Sequence, residues 1–287
     1  MVSTPIKPVV DIGIACNIYQ SFQFWTGLVE LILSEERAGN IIIGKIRAIG
    51  SALPDHNKNS IVGNVVKRLS LTDANRQEIT KGFLDDEADY LFWMDDDTVP
   101  PQLAISTLVK SGHEFIAGVY YMPSETCYPI AYKREKSNLY SPVYKYPIGA
   151  LLEVDAVGFG CTLTKRSVFE KIMAGHTVYV RYDGTLLPMP NDRIFEGNAP
   201  VNLAPMIKDG VYMESVRKQS DDENDKRPFP FFALENGRTE DYYFCELAEH
   251  VGVKPYLDTT VQCSHWKLGA TTIDNYKKLI YESENIL

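Results

Sequence analysis

The sequence predicts an α/β fold: a mostly parallel central sheet flanked by helices, with a smaller mixed or antiparallel part attached. Three observations carry this expectation. The first 121 residues alternate short, strongly apolar runs with amphipathic stretches, the pattern of a parallel sheet covered on both faces. After Tyr121 the alternation gives way to short strand-like pieces. The composition is globular, 45% hydrophobic and 23% charged, with no internal repeat or low-complexity tract. No linker separates the parts, so the 287 residues read as one domain with halves at 1–121 and 122–287.

Taken in order, residues 9–16 form a buried strand, 22–38 a helix and 45–53 a second strand. Ile61, Val62, Val65, Val66 and Leu69 recur at helical spacing, and Asp73 is placed to cap a helix running to residue 86. Residues 89–94 are a short apolar strand that stops at Asp95-Asp96-Asp97. Pro100-Pro101 opens a helix over 102–110, and 115–121 is a further strand. In the second half, strand-like pieces at 130–133, 139–146, 151–157 and 161–164 precede a helix over 166–173. Residues 178–189 read as a hairpin turning at Asp183-Gly184. The segments 188–205 and 214–230 read as loops, the second carrying a charge run from Asp221 to Arg227 that suits a solvated loop or a lid. A helix at 239–251, a strand at 256–263 and a helix at 271–281 complete the chain.

Several classes are disfavoured. Twenty-nine basic against 38 acidic residues give a net charge of −9, poor for general nucleic-acid binding, which relies on Lys and Arg displacing counterions. No stretch reaches the roughly 18–20 apolar residues of a membrane span. Residues 1–8 lack the design of a secretory signal. The five scattered cysteines contain no CxxC pair, which favours reduced thiols. A cytoplasmic protein without integral membrane association is therefore expected. No GxxxxGK[ST] or GxGxxG motif supports a P-loop or dinucleotide-binding reading.

The most informative segment runs from Tyr90 to Pro101. Three adjacent carboxylates repel one another, and clustering them at the carboxyl end of a buried strand makes sense if a cation offsets the repulsion. One helix cap explains one aspartate, not three. Asp95 and Asp97, two positions apart in an extended turn, can point the same way and share a metal or a ribose, while Asp96 faces elsewhere. This DxD pair, the proline-led helix and the strand Ile116-Ala-Gly-Val-Tyr-Tyr121 resemble the metal and nucleotide-sugar site of GT-A-fold glycosyltransferases, most of all the family-2-like group. Three further pieces stand in that group's order: the glycine-containing strand at 154–164, the Thr239-Glu240-Asp241 start of a helix, and the late strand ending in His265-Trp266. The similarity spans roughly residues 9–266, and the four motifs are specific together rather than singly.

The resemblance implies a GT-A-like domain with a nucleotide-binding half at 1–121 and an acceptor and catalytic half at 122–287. It implies a metal-dependent glycosyltransferase that moves a sugar from a UDP- or GDP-sugar to an acceptor hydroxyl with inversion. Asp95, Asp97 and His265 would hold Mn²⁺ or Mg²⁺, since carboxylates with one imidazole suit these ions. Asp241 would be the general base, with Glu240 orienting it or holding the acceptor. Ala15 and Asn17, at the tip of the first strand, would lie under the base of the donor, and Asn75, Arg76, Asp95 and Asp96 complete the donor-binding set. This chain reads Asn-Arg at 75–76 where Arg-Asn is common in the group. Gly158, Phe159, Gly160 and Trp266 would face the acceptor, the glycines allowing close approach to the backbone. Lys133, Arg134, Lys136 and Lys145 form a modest basic cluster, so the acceptor stays open between a saccharide, a small molecule and a nucleic acid. A metal-dependent nucleotidyltransferase and a non-catalytic nucleotide-sugar-binding protein are the alternatives.

Overall fold

The centre of the fold is the run Leu91-Phe-Trp-Met94, whose side chains alternate between two apolar layers: Leu91 and Trp93 join one, Phe92 and Met94 the other. A strand buried on both faces must be apolar throughout, which is why this one reads as an unbroken run. The structure is a computed structural model that describes residues 6–16, 22–50, 71–122, 127–136, 139–181, 184–193, 217–234, 238–266 and 270–271. The helical pattern at 61–69, Asn17, Asp183 and residues 272–281 of the expected last helix lie outside the described residues.

Seven strands form the central sheet, in the order Ile42–Gly50 (β2), Val9–Cys16 (β1), Tyr90–Asp95 (β3), Cys161–Lys165 (β10), Phe115–Val119 (β5), Tyr256–Gln262 (β14) and Leu151–Glu153 (β8). Five of these point the same way, and β10 and β8 run against them. Helices Phe22–Ala38 (α1) and Ala104–Lys110 (α3) cover one face through Phe24, Leu28, Leu31, Ile105 and Leu108. Helices Leu71–Leu84 (α2), Arg166–Gly175 (α4) and Glu240–His250 (α5) cover the other through Ile79, Phe83, Phe169, Phe244 and Leu247. The expected α/β architecture, with a mostly parallel sheet between helical layers, is the one observed.

Among the described residues, three small antiparallel sheets make up the mixed part. Tyr140–Pro142 (β7), Ala131–Arg134 (β6) and Ala156–Val157 (β9) form the first. Leu186–Pro190 (β12), His176–Val180 (β11) and Arg217–Lys218 (β13) form the second. Ala270–Thr271 (β16), Ser264–Trp266 (β15) and Thr98–Val99 (β4) form the third, tying the chain after Asp97 to the chain around His265. Among the described residues, no helix is long and apolar enough to cross a membrane.

Several boundaries differ from the sequence reading, each for a visible reason. β2 begins three residues early, because Ile42 and Ile43 already pair with Val9 and Val10. The pairing then shifts register around Asp11, whose buried carboxylate accepts from the Lys45 N–H at 2.6 Å and pairs with the Arg47 guanidinium. A Cβ at Gly44 would strike that carboxylate. Asp73 lies in the first turn of α2 rather than capping it, its Oδ1 accepting from the N–H of Ala74 at 2.9 Å. Pro100-Pro101 does not open α3: Leu103 takes a left-handed φ of 61°, so helical geometry starts only at Ala104. The expected strand at 151–157 divides between two sheets. The proposed loop at 214–230 holds β13, and just beyond it Phe231 and Phe232 are buried, their N–H groups donating to Gln77 Oε1 on α2.

Candidate active site

Parallel sheets place ligands beyond the carboxyl ends of their strands, and the largest functional grouping lies there. A cavity of about 470 Å³ opens at the ends of β1 and β3, beneath the start of α5. Ala15, Cys16, Thr72 and Asn75 line it together with Tyr120, Met122, Tyr128, Tyr132 and Tyr242. Arg76, Asp95, Asp97, Glu240, Asp241 and His265 lie among them.

Arg76 ties these elements together. Its side chain, 3% exposed, sends Nη2 to Asp95 Oδ1 at 2.8 Å and Nη1 to Glu240 Oε1 at 3.0 Å, and Nη1 also pairs with Asp241 Oδ1. The guanidinium sits over the Phe159 ring, 5.2 Å from its centroid. Burial works against its charge, but Asp95 and Glu240 outweigh burial and raise its pKa above the ordinary arginine value. Burial raises the Asp95 carboxyl; Arg76 pulls it back down, and Asp97 adds to the rise. Glu240 and Asp241 reach the cavity because Thr239 starts α5 there, in the first turn where acidic side chains are favoured.

His265 forms the second grouping. Its Nδ1 lies 2.7 Å from the Tyr121 carbonyl oxygen and must therefore carry the hydrogen, since a carbonyl only accepts. In neutral imidazole, Nε2 then turns a lone pair toward Asp97 Oδ2 at 3.1 Å. Two acceptors at that distance need a proton or a cation to hold them together. The Trp266 N–H donates to the Asp97 carbonyl at 2.7 Å, which fixes the register of the pair. Oxygen and imidazole donors facing a cavity fit a divalent ion of the Mn²⁺ or Mg²⁺ kind.

The expected trio of metal ligands is not gathered as such. Among the described residues, no group of three His, Cys, Asp or Glu side chains is arranged to hold a metal. Asp97 and His265 are paired, whereas Asp95 continues the side of β3 that faces α2 and turns to Arg76. Asp96 falls on the opposite side, is buried and does not line the cavity.

The acceptor-side expectations need revision. Phe159 is fully buried among Trp93, Phe115, Phe232 and Phe244 and presents no face to a ligand. Gly160 and Trp266 do not line the cavity either. Gly158 does, and both glycines make room for Tyr120. A Cβ at Gly158 would run into the Tyr120 hydroxyl, and one at Gly160 would lie 2.8 Å from its Cζ. The Gly160 N–H donates to that hydroxyl at 3.1 Å. Burial, with Asp95 nearby, holds the phenol well above its ordinary pKa, so it stays protonated beside the carboxylates. Of the basic cluster, none lines the cavity: Lys133 faces Asp155, and Arg134 pairs with Glu249 and Tyr140.

The sequence reading missed the tyrosine side of the cavity, Tyr120, Tyr128, Tyr132 and Tyr242. One signal was available for Tyr120, which ends a buried strand as the aspartates end β3. The others come from β6 and its approach and from α5, and only packing brings them together: Tyr132 meets Tyr242 edge-on at 5.1 Å, and Tyr140 stacks on Tyr242 at 4.6 Å.

No family model and no curated protein matches the chain. Solved structures similar to it include A197 from STIV, at 14% identity and a TM-score of 0.47, covering 93% of this chain and 91% of that one. A second is GalNAc-T7 with UDP, GalNAc and Mn²⁺, at 11% identity and a TM-score of 0.45, covering 96% of this chain and 48% of that one. A third, a glycosyltransferase involved in glycosylation of the major capsid of PBCV-1, shows 10% identity and a TM-score of 0.27 over 57% of this chain and 62% of that one. This chain thus spans about half of GalNAc-T7. Likenesses at these TM-scores set no residue-by-residue correspondence.

Proposed function

We propose that the protein is a metal-dependent, GT-A-like glycosyltransferase that moves a sugar from a nucleoside-diphosphate donor to an acceptor hydroxyl. The observation that carries this reading is the charge of the cavity. Asp95, Asp97, Glu240 and Asp241 converge on it from distant parts of the chain, and Arg76, its one Lys or Arg among the described residues, is engaged by three of them. Such a cavity repels a bare diphosphate and accepts one that arrives with a divalent cation. Asp97 and His265 would hold the ion, and Asp95 would lie beside the donor ribose. A divalent cation bound there offsets the charge that builds on the departing diphosphate.

On this reading Ala15 and Asn75 bound the donor side, and Met122, Tyr128, Tyr132 and Tyr242 the acceptor side. Asp241, next to Tyr242 at the mouth of α5, takes the proton of the acceptor hydroxyl as its oxygen attacks the anomeric carbon, and Glu240 orients it. Inversion follows if that oxygen approaches opposite the diphosphate. The basic cluster lies off the cavity, which favours a saccharide or other small acceptor over a nucleic acid.

The test is release of nucleoside diphosphate from a panel of UDP- and GDP-sugars, with Mn²⁺ or Mg²⁺ and without metal. Release that needs the metal and disappears in Asp97→Ala and Asp241→Asn supports transfer. Tight metal-dependent binding without release marks a binding protein, and native rates in both variants place the chemistry elsewhere.

A further inference from the structure

We infer that Arg76 is a positioning residue, which holds the donor-side carboxylate Asp95 and the acceptor-side pair Glu240 and Asp241 in one fixed arrangement and makes no contact with substrate. This rests on the reading above, in which those carboxylates flank the reacting centre. Arginine beside a nucleotide cavity ordinarily suggests a phosphate ligand, but the geometry points the other way. Both Nη1 bonds go to protein carboxylates, Glu240 and Asp241, and Nη2 serves Asp95. The Phe159 ring covers a guanidinium face, and the side chain is 3% exposed. Nε is buried without a hydrogen-bond partner among the described residues, so a phosphate approaching the Nη groups would compete with Asp95, Glu240 and Asp241.

The partners lie 19, 164 and 165 residues away in sequence, on β3 and on α5. Without a cation between them, three carboxylates would repel one another and the start of α5 would move away from β3. Neighbouring packing reinforces the placement. Gln77, the next residue on α2, receives the N–H groups of Phe231 and Phe232 and donates to the Phe229 carbonyl at 2.6 Å. Phe232 in turn stacks on Phe244 of α5 at 5.1 Å. Consecutive residues of α2 therefore anchor α5 twice, once by charge and once through an aromatic layer. Misplacement by about 1 Å at such a centre can lower turnover roughly 10²-fold.

The test uses Arg76→Lys, which keeps the charge but not the planar fork that spans three carboxylates. UDP and GDP with Mn²⁺ serve as binding probes, and turnover is diphosphate release from whichever UDP- or GDP-sugar the native protein consumes. The expected result is probe affinity within threefold of native and turnover lowered at least 100-fold. Affinity lowered tenfold or more with turnover of the bound complex kept would make Arg76 a donor ligand, and native turnover would remove its role; either overturns the inference. Hydrogen exchange supplies a substrate-free arm: the amides of residues 243–246 should exchange at least tenfold faster in Arg76→Lys, while β14 is unchanged. If the native protein consumes no nucleotide sugar, glycosyl transfer fails and the exchange result still decides the clamp. Should Arg76→Lys not fold, Glu240→Gln removes one arm and should raise the same exchange about threefold; no change there overturns the inference.

Discussion

Among the described residues, two arginine–carboxylate clusters on the central sheet are built from similar parts. At the β1–β2 edge, Arg47 pairs with Asp11 and Asp86, Lys45 Nζ reaches Asp86 at 2.6 Å, and the Lys45 N–H fills Asp11 Oδ1. At the far end of β3, Arg76 pairs with Asp95, Glu240 and Asp241. The first cluster is satisfied from within: Asp11 patches the register shift by accepting the Lys45 N–H, Arg47 bridges Asp11 and Asp86, and none of these residues lines the cavity at the end of β3. The second opens onto about 470 Å³ of lined space, where the carboxylates retain lone pairs for a ligand. Charged residues in a sheet therefore do not announce function by their presence. What separates scaffold from site is whether the protein's own hydrogen bonds use up their capacity.

The contrast breaks most readily at the open cluster. Asp97→Ala and Asp241→Asn should each lower diphosphate release about 10³-fold while the melting temperature moves by only a few degrees. Parallel kinetics and thermal melts check this; a large loss of stability with activity retained would assign the open cluster a scaffold role. Asp11→Ala should do the reverse. It strands the Lys45 N–H and half of Arg47, so urea denaturation should show a loss of about 3 kcal/mol with turnover per folded molecule unchanged.

Gly158→Ala tests the tyrosine side of the open cavity. The added methyl meets the Tyr120 hydroxyl and lies 2.7 Å from Ile130 Cγ2, so a loss of about 2 kcal/mol is expected. Adding Tyr120→Phe should recover part of that loss in the same denaturation experiment; no recovery would place the clash elsewhere.

The smallest effect is in pH dependence, where the clusters should respond in opposite senses. A hydrogen bond from Lys45 is the main cause that depresses the Asp86 carboxyl, with Arg47 adding. Its stabilising contribution is present above the unfolded value of about 3.9 and is lost as pH falls through the lower folded value. The Asp95 carboxyl is raised, mainly by burial, so its contribution is present below about 3.9 and lost as pH rises through the higher folded value. Melting curves between pH 6 and 3 should therefore fall more gently for Asp86→Asn than for the native protein and more steeply for Asp95→Asn. Parallel curves for all three would refute the distinction.

Much of this was readable from the chain. Strands that must be buried on both faces leave apolar runs, so β1, β3 and β5 appeared within about two residues of their observed bounds. The aspartates after Met94 and the acids after Thr239 break such patterns at element ends, which made them visible as candidate site residues. Phe159 shows the limit: one aromatic between two glycines suits a ligand platform and a core residue equally, and the rings of Trp93, Phe115, Phe232 and Phe244 packed around it decide for the core.

By itself, the sequence determined the periodicities, and with them the order of strands and helices and the ends at which carboxylates cluster, because those patterns obey local geometry and burial. Only the tertiary structure decided which charge meets which: that Arg76 gathers acids from β3 and α5, that His265 turns its Nε2 to Asp97, and that the two glycines shelter a tyrosine. Such pairings join residues more than 160 positions apart, as Arg76 and Asp241 are at 165, and their strength depends on distance and on exclusion of water, neither of which exists until the layers pack.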